Sequence, residues 1–541
     1  MVRPAFLDHD PVSIAFGTSG MRALVRDLTD LQVYISVKGA LQYLLQVGDI
    51  EKGSVVVLGG DLRPSTERIM RASLQAIVDS GLGVENAGLV PTPAVLLRGL
   101  ATRRAGVMVT GSHIPFDRNG IKVSKSVGEV LKSDEPGILR AIEVVRAQEY
   151  GETAASSRFD AQAMLKAAPQ LPPVDKTAEN EYVARYRHGF AADELGGLRV
   201  AFYQHSAVGR ELVPAILRAL GAEVVAVGRS ETFVPVDTEN VDDEQLATLE
   251  RLVAEAEKSG RIDAIVSTDG DSDRPLVAAV LKDKDAHTGR RVRFLPGDLL
   301  GVVVAQELAA DFVAVPVSAN DAVDRVMATR GVELHKTRIG SPYVVASMAD
   351  AASGGTRKRV VGWEANGGFL VGSDLGNLAP LPSRDAVLPI VVNLAAARRF
   401  GGSLDALWSD RLPPRFGRSG LIDDVPVEIS RAMLAQLIVD KEVSDVRFGA
   451  ETSVAWRRVK ETLEQLFTMK LGFGVVEALN LVDGVRIFFH GGDIAHLRPS
   501  GNAPQLRIYA NADTQARADE IVAAALREPD GILRRLQRSL T

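Results

Sequence analysis

One unit recurs three times along the chain: a short apolar run of β-forming residues, a polar turn, and an amphipathic stretch of helical spacing that ends at glycine. It occupies residues 54–61 then 65–81, 198–204 then 209–221, and 312–317 then 321–331. Runs this short, bounded by turn residues, read as buried strands, and the 3.6-residue spacing that follows reads as a helix with one packed face. Such alternation leads to α/β layers on largely parallel sheets. The units start more than 100 residues apart, whereas solenoid repeats recur every ~20–50 residues, so each unit opens a domain of its own.

The 541 residues suffice for about three to five domains, and four is the number the boundaries favour. Residues 150–176 are rich in Ala, Ser, Gln and Pro and read as a linker or a surface helix closing the first domain. Further breaks fall near Pro296-Gly297 and Pro413-Pro414, giving domains 1–176, 177–296, 297–412 and 413–541. In the last of these, 425–437 and 457–467 have helical spacing while 485–490 and 505–510 look like strands, which predicts a smaller α+β domain.

Composition narrows the function. A net charge of −6 with both signs mixed along the chain offers no basic face for nucleic acid and no polybasic membrane tether. An anionic ligand must then be held by a local group of arginines. The absence of cysteine excludes disulfides, thiolate metal sites and cysteine nucleophiles. Residues 1–10 lack the apolar core of a secretory signal, and no segment approaches the ~18 apolar residues of a membrane span. A cytoplasmic enzyme is expected, with no membrane or nucleic-acid partner, as a monomer or a dimer.

Four loops carry the residues that could do chemistry. In Val107-Met108-Val109-Thr110-Gly111-Ser112-His113-Ile114-Pro115, a strand delivers Ser112 to the carboxyl end of a sheet, where ligands bind in open α/β folds. The hydrolase elbow G-x-S-x-G is not met, because Ile114 stands at its last position. The continuation Asp117-Arg118-Asn119-Gly120-Ile121-Lys122 reads as a tight turn returning a lysine toward the serine. Next, Asp269-Gly270-Asp271-Ser272-Asp273-Arg274 follows an apolar run and sets three carboxylates at alternate positions. Oxygen donors suit a hard cation; an EF-hand fails, since Arg274 and Val280 stand where glycine and glutamate belong, and Mg²⁺ fits better.

The third loop, Gly362-Trp363-Glu364-Ala365-Asn366-Gly367-Gly368, flanks a carboxylate and an amide with glycine, groups able to read neighbouring sugar hydroxyls. The fourth, Arg498-Pro499-Ser500-Gly501-Asn502-Ala503-Pro504-Gln505-Leu506-Arg507, combines arginine forks with small residues in a form suited to phosphate. Near the N-terminus, Phe16-Gly17-Thr18-Ser19-Gly20-Met21-Arg22 adds a small-residue loop bearing an arginine.

In this order the loops resemble those of the α-D-phosphohexomutase superfamily, the phosphomannomutases and phosphoglucomutases, and the resemblance runs from about residue 16 to 509. It implies three similar α/β domains with mixed, mainly parallel sheets plus a smaller C-terminal α+β domain, set around a central cleft. It also implies that Ser112 is a phosphoserine in the active enzyme, and that Asp269, Asp271 and Asp273 bind Mg²⁺ together with an oxygen of that phosphoserine. Arg274 would stabilise the transferring phosphoryl group. Glu364, Asn366 and Gly367 would bind the sugar, and Arg498, Ser500, Gly501, Asn502 and Arg507 its phosphate.

Lys122 is the first candidate for the general acid and base and His113 the second, with Arg22 an electrostatic partner. The reaction implied is reversible exchange of hexose 1-phosphate and hexose 6-phosphate, with hexose 1,6-bisphosphate as intermediate and activator. Gly111 and Ile114 stand where the family usually has alanine and asparagine, Asn366 where serine is commoner, and Asn502-Ala503 where threonine and glutamate are frequent. The glycine-flanked Glu-Ala-Asn loop points to mannose as the sugar; phosphoglucomutase or phosphoglucosamine mutase are the alternatives, ahead of a sugar-phosphate phosphatase or a non-catalytic binder.

Overall fold

The computed structural model describes residues 4–539 apart from 13, 18–19, 240, 286–287, 355–358 and 500–504. The chain forms two compact units, Met1–Ala314 with Gly340–Trp408, and Val315–Ile339 with Ser409–Thr541.

In the first unit the recurrent motif takes the expected form. The strand Val55–Gly60 leads to the helix Thr66–Asp79, and Arg199–His205 leads to Leu212–Ala219. Val55–Gly60 lies parallel to both Gly83–Leu89 and Gly106–Val109. Arg199–His205 likewise lies parallel to Glu223–Arg229 and Ala264–Thr268. In the third domain Phe312–Pro316 runs parallel to Val360–Trp363. Parallel central strands must be covered on both faces, which is why they are almost wholly apolar and buried.

Each of these sheets then reverses at the same point. Gly106–Val109 returns as the antiparallel strand Arg118–Lys125, Ala264–Thr268 as Pro275–Val280, and Val360–Trp363 as Phe369–Val371. The three loops singled out in the sequence are thus the same hairpin connection in three successive domains. The returning lysine belongs to a strand: residues 118–125 are extended, and the register sets Lys122 opposite Met108.

Residues 151–176 contain no helix, so the surface-helix alternative fails. They are an irregular, mostly exposed segment anchored where Phe159 and Ala163 are buried in the first core and Phe159 meets Tyr34 edge-on, ring centroids 5.5 Å apart. The core beneath it is built on the helix Asp30–Gln46, whose first turn is capped by the Thr29 hydroxyl accepting from Gln32 N.

The second unit contains a six-stranded sheet, antiparallel throughout, in the order Phe416–Ile422, Leu506–Ala512, Ile494–Pro499, Val485–Phe489, Val476–Asn480, Asp445–Arg447. The helices Val427–Ala435, Val454–Leu466, Gln515–Leu526 and Ile532–Arg538 contribute to its own apolar core. Here Ile494–Pro499 and Leu506–Ala512, the strands on either side of residues 500–504, pair antiparallel.

Candidate active site

Ser112 is fully buried and holds a left-handed backbone, φ 56°. A serine keeps this sparsely populated conformation only where its surroundings impose it. They do so through hydrogen bonds. Thr110 Oγ1 accepts from Ser112 N at 2.8 Å and donates to Asp61 Oδ2 at 2.8 Å. Beneath the loop the buried Arg63 donates to four of its carbonyls: Ser112 at 2.8 Å, Ile114 at 2.5 Å, Pro115 at 2.6 Å and Arg118 at 2.8 Å. Asp61 pairs with the same guanidinium at 3.2 Å.

A Cβ at position 111 would stand 2.5 Å from Arg63 Cζ. That contact gives Gly111 a reason in this chain. Asp61 and Arg63 were missed in the sequence, where their only signal is an Asp-x-Arg in the polar turn of the first repeat.

Asp269, Asp271 and Asp273 are completely buried, and each offers a carboxylate oxygen within 4.8 Å of the others. Ser112 Oγ donates to Asp269 Oδ2 at 2.6 Å. Lys122 Nζ lies 2.7 Å from Asp271 Oδ2 and 2.9 Å from Asp273 Oδ2, and Thr92 Oγ1 donates to Asp271 Oδ2 at 2.6 Å. The remaining oxygens, Asp271 Oδ1 and Asp273 Oδ1, are buried with no hydrogen-bond partner among the described residues. Asp273 Oδ1 faces Arg274 Nε at 3.6 Å, and three clustered carboxylates with oxygens that accept no hydrogen bond form an all-oxygen donor set that fits Mg²⁺.

The electrostatics of this cluster are divided. Burial, with Asp271 and Asp273 beside it, raises the Asp269 carboxyl well above its ordinary value. Burial would raise Asp271 too, but Lys122 and Thr92 hold it well below. Arg274 Nη1 lies 3.0 Å from His113 Nδ1. A guanidinium only donates, so Nδ1 is the acceptor and the His113 proton sits on Nε2. Burial, then Arg274 and Arg22, push His113 down to about 2, which keeps the imidazole neutral. Arg22 is itself lowered to about 10 by burial and by Arg274.

The sugar-type loop is a tight turn: Gly367 N donates to Glu364 O at 2.9 Å, and Gly368 N to Asn366 Oδ1 at 3.0 Å. Gly367 has φ +85°, and a Cβ there would meet Pro275 Cγ at 2.8 Å, in the residue that follows the metal-type loop. Gly367→Ala therefore adds a left-handed penalty of about 1 kcal/mol to a steric clash. It should lower the midpoint of chemical denaturation and raise KM for substrate; unchanged values of both would mean the turn can move freely.

Arg384, in the strand Leu381–Asp385, was not anticipated. Its Nε and Nη2 donate to Asp273 Oδ2 at 3.0 and 2.8 Å, and its Nη1 donates to Glu364 Oε2 at 2.8 Å. One buried cation thus joins the metal-type loop to the sugar-type loop. The sequence signal was a charged Arg-Asp pair inside an otherwise apolar stretch.

Ser112, His113, Lys122, Asp269, Asp271, Asp273 and Arg274 are linked by direct contacts, and Arg384 extends the group to Glu364. The phosphate-type loop belongs to the second compact unit. There Arg498 and Arg507 are register partners on neighbouring antiparallel strands. Arg498 Nε lies 3.2 Å from Asp483 Oδ1, and Arg507 Nε is buried without a hydrogen-bond partner among the described residues. Ser500, Gly501 and Asn502 lie outside the described residues.

Models of four protein domains match the chain in order: phosphoglucomutase/phosphomannomutase alpha/beta/alpha domain I at residues 13–149, domain II at 180–281, domain III at 296–414, and the C-terminal domain at 451–528. A phosphomannomutase of Sinorhizobium fredii is 37% identical, covering 94% of this chain and 98% of its own. One of Salmonella muenchen is 35% identical, covering 95% of each. The crystal structure of a phosphoglucomutase/phosphomannomutase family protein from Burkholderia thailandensis superposes with a TM-score of 0.65 at 17% identity, over 96% of this chain and 97% of that one, and so shares the fold. With all four domains in order and relatives alike over nearly their whole length, the chain belongs to the phosphoglucomutase/phosphomannomutase family and is a phosphohexomutase, an isomerase.

Proposed function

We propose that the enzyme interconverts mannose 1-phosphate and mannose 6-phosphate by passing a phosphoryl group through Ser112. The observation that carries this reading is Ser112 Oγ at 2.6 Å from Asp269, on the rim of three buried carboxylates. Phosphoryl transfer depends mainly on positioning and on stabilising negative charge. Asp269, Asp271 and Asp273 would hold Mg²⁺, which when bound withdraws charge from the phosphoryl group. Arg63 fixes the loop carbonyls so that the serine oxygen stays aimed at this cluster.

The chain's own groups then divide the work. Phospho-Ser112 gives its phosphoryl group to the free hydroxyl of a hexose monophosphate: the serine P–O bond breaks, the new P–O bond forms, and hexose 1,6-bisphosphate results. The intermediate reverses its orientation and returns its other phosphoryl group to Ser112. Lys122 is assigned to take the proton from the attacking hydroxyl and to return it to the Ser112 oxygen that leaves. His113 keeps Arg274 oriented toward the reacting phosphate, with Arg22 adding positive charge. Glu364 and Asn366 accept and donate hydrogen bonds to ring hydroxyls in both orientations, while Arg498 and Arg507, with Ser500, Gly501 and Asn502, are assigned the phosphate that does not react.

Mannose is supported by the two relatives named phosphomannomutase. A coupled assay with mannose 1-phosphate and glucose 1-phosphate side by side tests it, and equal specificity constants would reject the narrower assignment. Trace hexose 1,6-bisphosphate should stimulate turnover by phosphorylating Ser112; a phosphatase would not need it. Removing divalent ions with a chelator should abolish turnover and added Mg²⁺ should restore it, whereas full activity after exhaustive chelation would exclude the carboxylates as a metal site.

A further inference from the structure

A segment of the second domain runs along the wall of this site, and nothing in the assignments above uses it. At one end the Phe233 ring lies 4.0 Å from the guanidinium carbon of Arg63, the residue that supports the Ser112 loop. The same ring would meet a Cβ at Gly270, within the metal-type loop, at 3.3 Å. Five residues on, the fully buried Thr238 donates its hydroxyl to the main-chain carbonyl of Asn366, 2.9 Å away in the sugar-type loop. Between these ends, Val234 N donates to Ser206 Oγ at 2.8 Å and Val236 is buried in the second domain's core. The segment is therefore fastened at both ends, between the loop that carries the phosphoryl group and the loop that reads the sugar.

Glu239 follows directly on Thr238. Its amide donates to Asp237 Oδ1 at 2.9 Å, its carboxylate has no hydrogen bond or ion pair among the described residues, and the residue is exposed. The charges it feels are those of the site: Asp237 on its own segment, Arg274 from the metal-type loop, Glu364 from the sugar-type loop, and Asp298 from the helix Gly297–Glu307. Crowding by protein, followed by Asp237, raises this carboxyl to about 7. Glu239 is thus an exposed acid one residue from the Thr238 tie to the sugar-type loop. Its carboxylate meets no hydrogen-bond donor among the described residues, and a polyol would supply donor hydroxyls.

We propose that Glu239 is a second sugar-reading residue, which accepts a hydrogen bond from a ring hydroxyl of the bound hexose phosphate and helps set the preference between hexose epimers. The proposal rests on the mutase reading of the site and deepens it. An acid on the second domain and an acid on the third would grip the ring from two sides. Such a pair suits a ring that must be bound in two orientations, because each carboxylate can meet a hydroxyl either way round.

The test measures binding and turnover separately. In a Ser112→Ala background, calorimetry with mannose 1-phosphate, glucose 1-phosphate and inorganic phosphate follows Glu239→Ala and Glu239→Gln. At about pH 8, above the raised value of this carboxyl, a hydrogen bond to a charged acceptor is lost in the alanine variant, so its affinity for the preferred hexose phosphate should fall roughly 10- to 100-fold. The ratio between the two epimers should change, and binding of inorganic phosphate should not. Thr238→Val, which cuts the tie to Asn366, should move the same ratio, and circular dichroism and the thermal midpoint check that each variant is folded.

Kinetics of the same substitutions on intact Ser112 separate the two readings. If the parent enzyme turns over hexose phosphates but Glu239→Ala leaves both the epimer ratio and the affinities within twofold of the parent, the assignment of Glu239 is wrong. If sugar binding weakens as expected while the parent enzyme shows no mutase turnover, Glu239 reads sugar and the mutase reading fails.

Discussion

Ser112→Ala eliminates turnover, by a factor of ~10⁴ or more, while the protein keeps its fold and its affinity for hexose phosphate. The size follows from the role: a nucleophile that carries the transferred group has no substitute, and losing such a residue in other enzymes costs several orders of magnitude in kcat. The fold should survive because the serine loop does not depend on this hydroxyl. Its conformation is held by Asp61, by Thr110 and by Arg63 through four backbone carbonyls, all of which remain. Alanine must still adopt the left-handed φ of Ser112, an expense of about 1 kcal/mol that serine also bears. Intact mass after incubation with hexose 1,6-bisphosphate should show one added phosphoryl group on the parent enzyme and none on the variant. An alanine variant with turnover within tenfold of the parent would mean that Ser112 is not the carrier.

The parts of this enzyme legible in the sequence are those set by local pattern. Strand, turn and helix repeat with a period that marked three domains, and the loops at the ends of the central strands announced themselves by residue types that a buried strand rejects. What the sequence hid were partners brought together from afar. Arg63 lies 49 residues from Ser112 and Arg384 lies 111 from Asp273; each is one arginine among many until the sheets set it beneath a loop. The segment 151–176 was only half legible for a related reason. Its composition gave a linker or a surface helix closing the first domain, and the insertion of Phe159 against Tyr34 shows that it closes that core without a helix. Lys122 was read as turning back when it is carried back, since antiparallel register needs a whole strand to define it.

Arg384→Met should be the most damaging substitution for the site as a whole, because this one side chain satisfies two buried carboxylates in different loops. In the parent enzyme Asp273 is held below its ordinary value: burial opposes its charge, and Arg384 is the first of the groups that overcome it. Methionine matches much of the arginine volume but offers no donor. Breaking one side of a buried ion pair is worth ~3–5 kcal/mol, since the abandoned charge stays buried. The loss should appear as a lower midpoint of urea denaturation with an unchanged slope, together with at least ~100-fold lower turnover, because the metal-type and sugar-type loops are no longer held in register. Arg384→Lys separates charge from geometry. Its single ammonium cannot reproduce the fork that meets Asp273 with two nitrogens and Glu364 with a third, so it should recover part of the stability but little of the turnover. If the lysine variant regains both, the bridge acts as a buried charge and does not align the loops; if the methionine variant keeps the parent's stability and turnover, Asp273 and Glu364 are positioned by other groups.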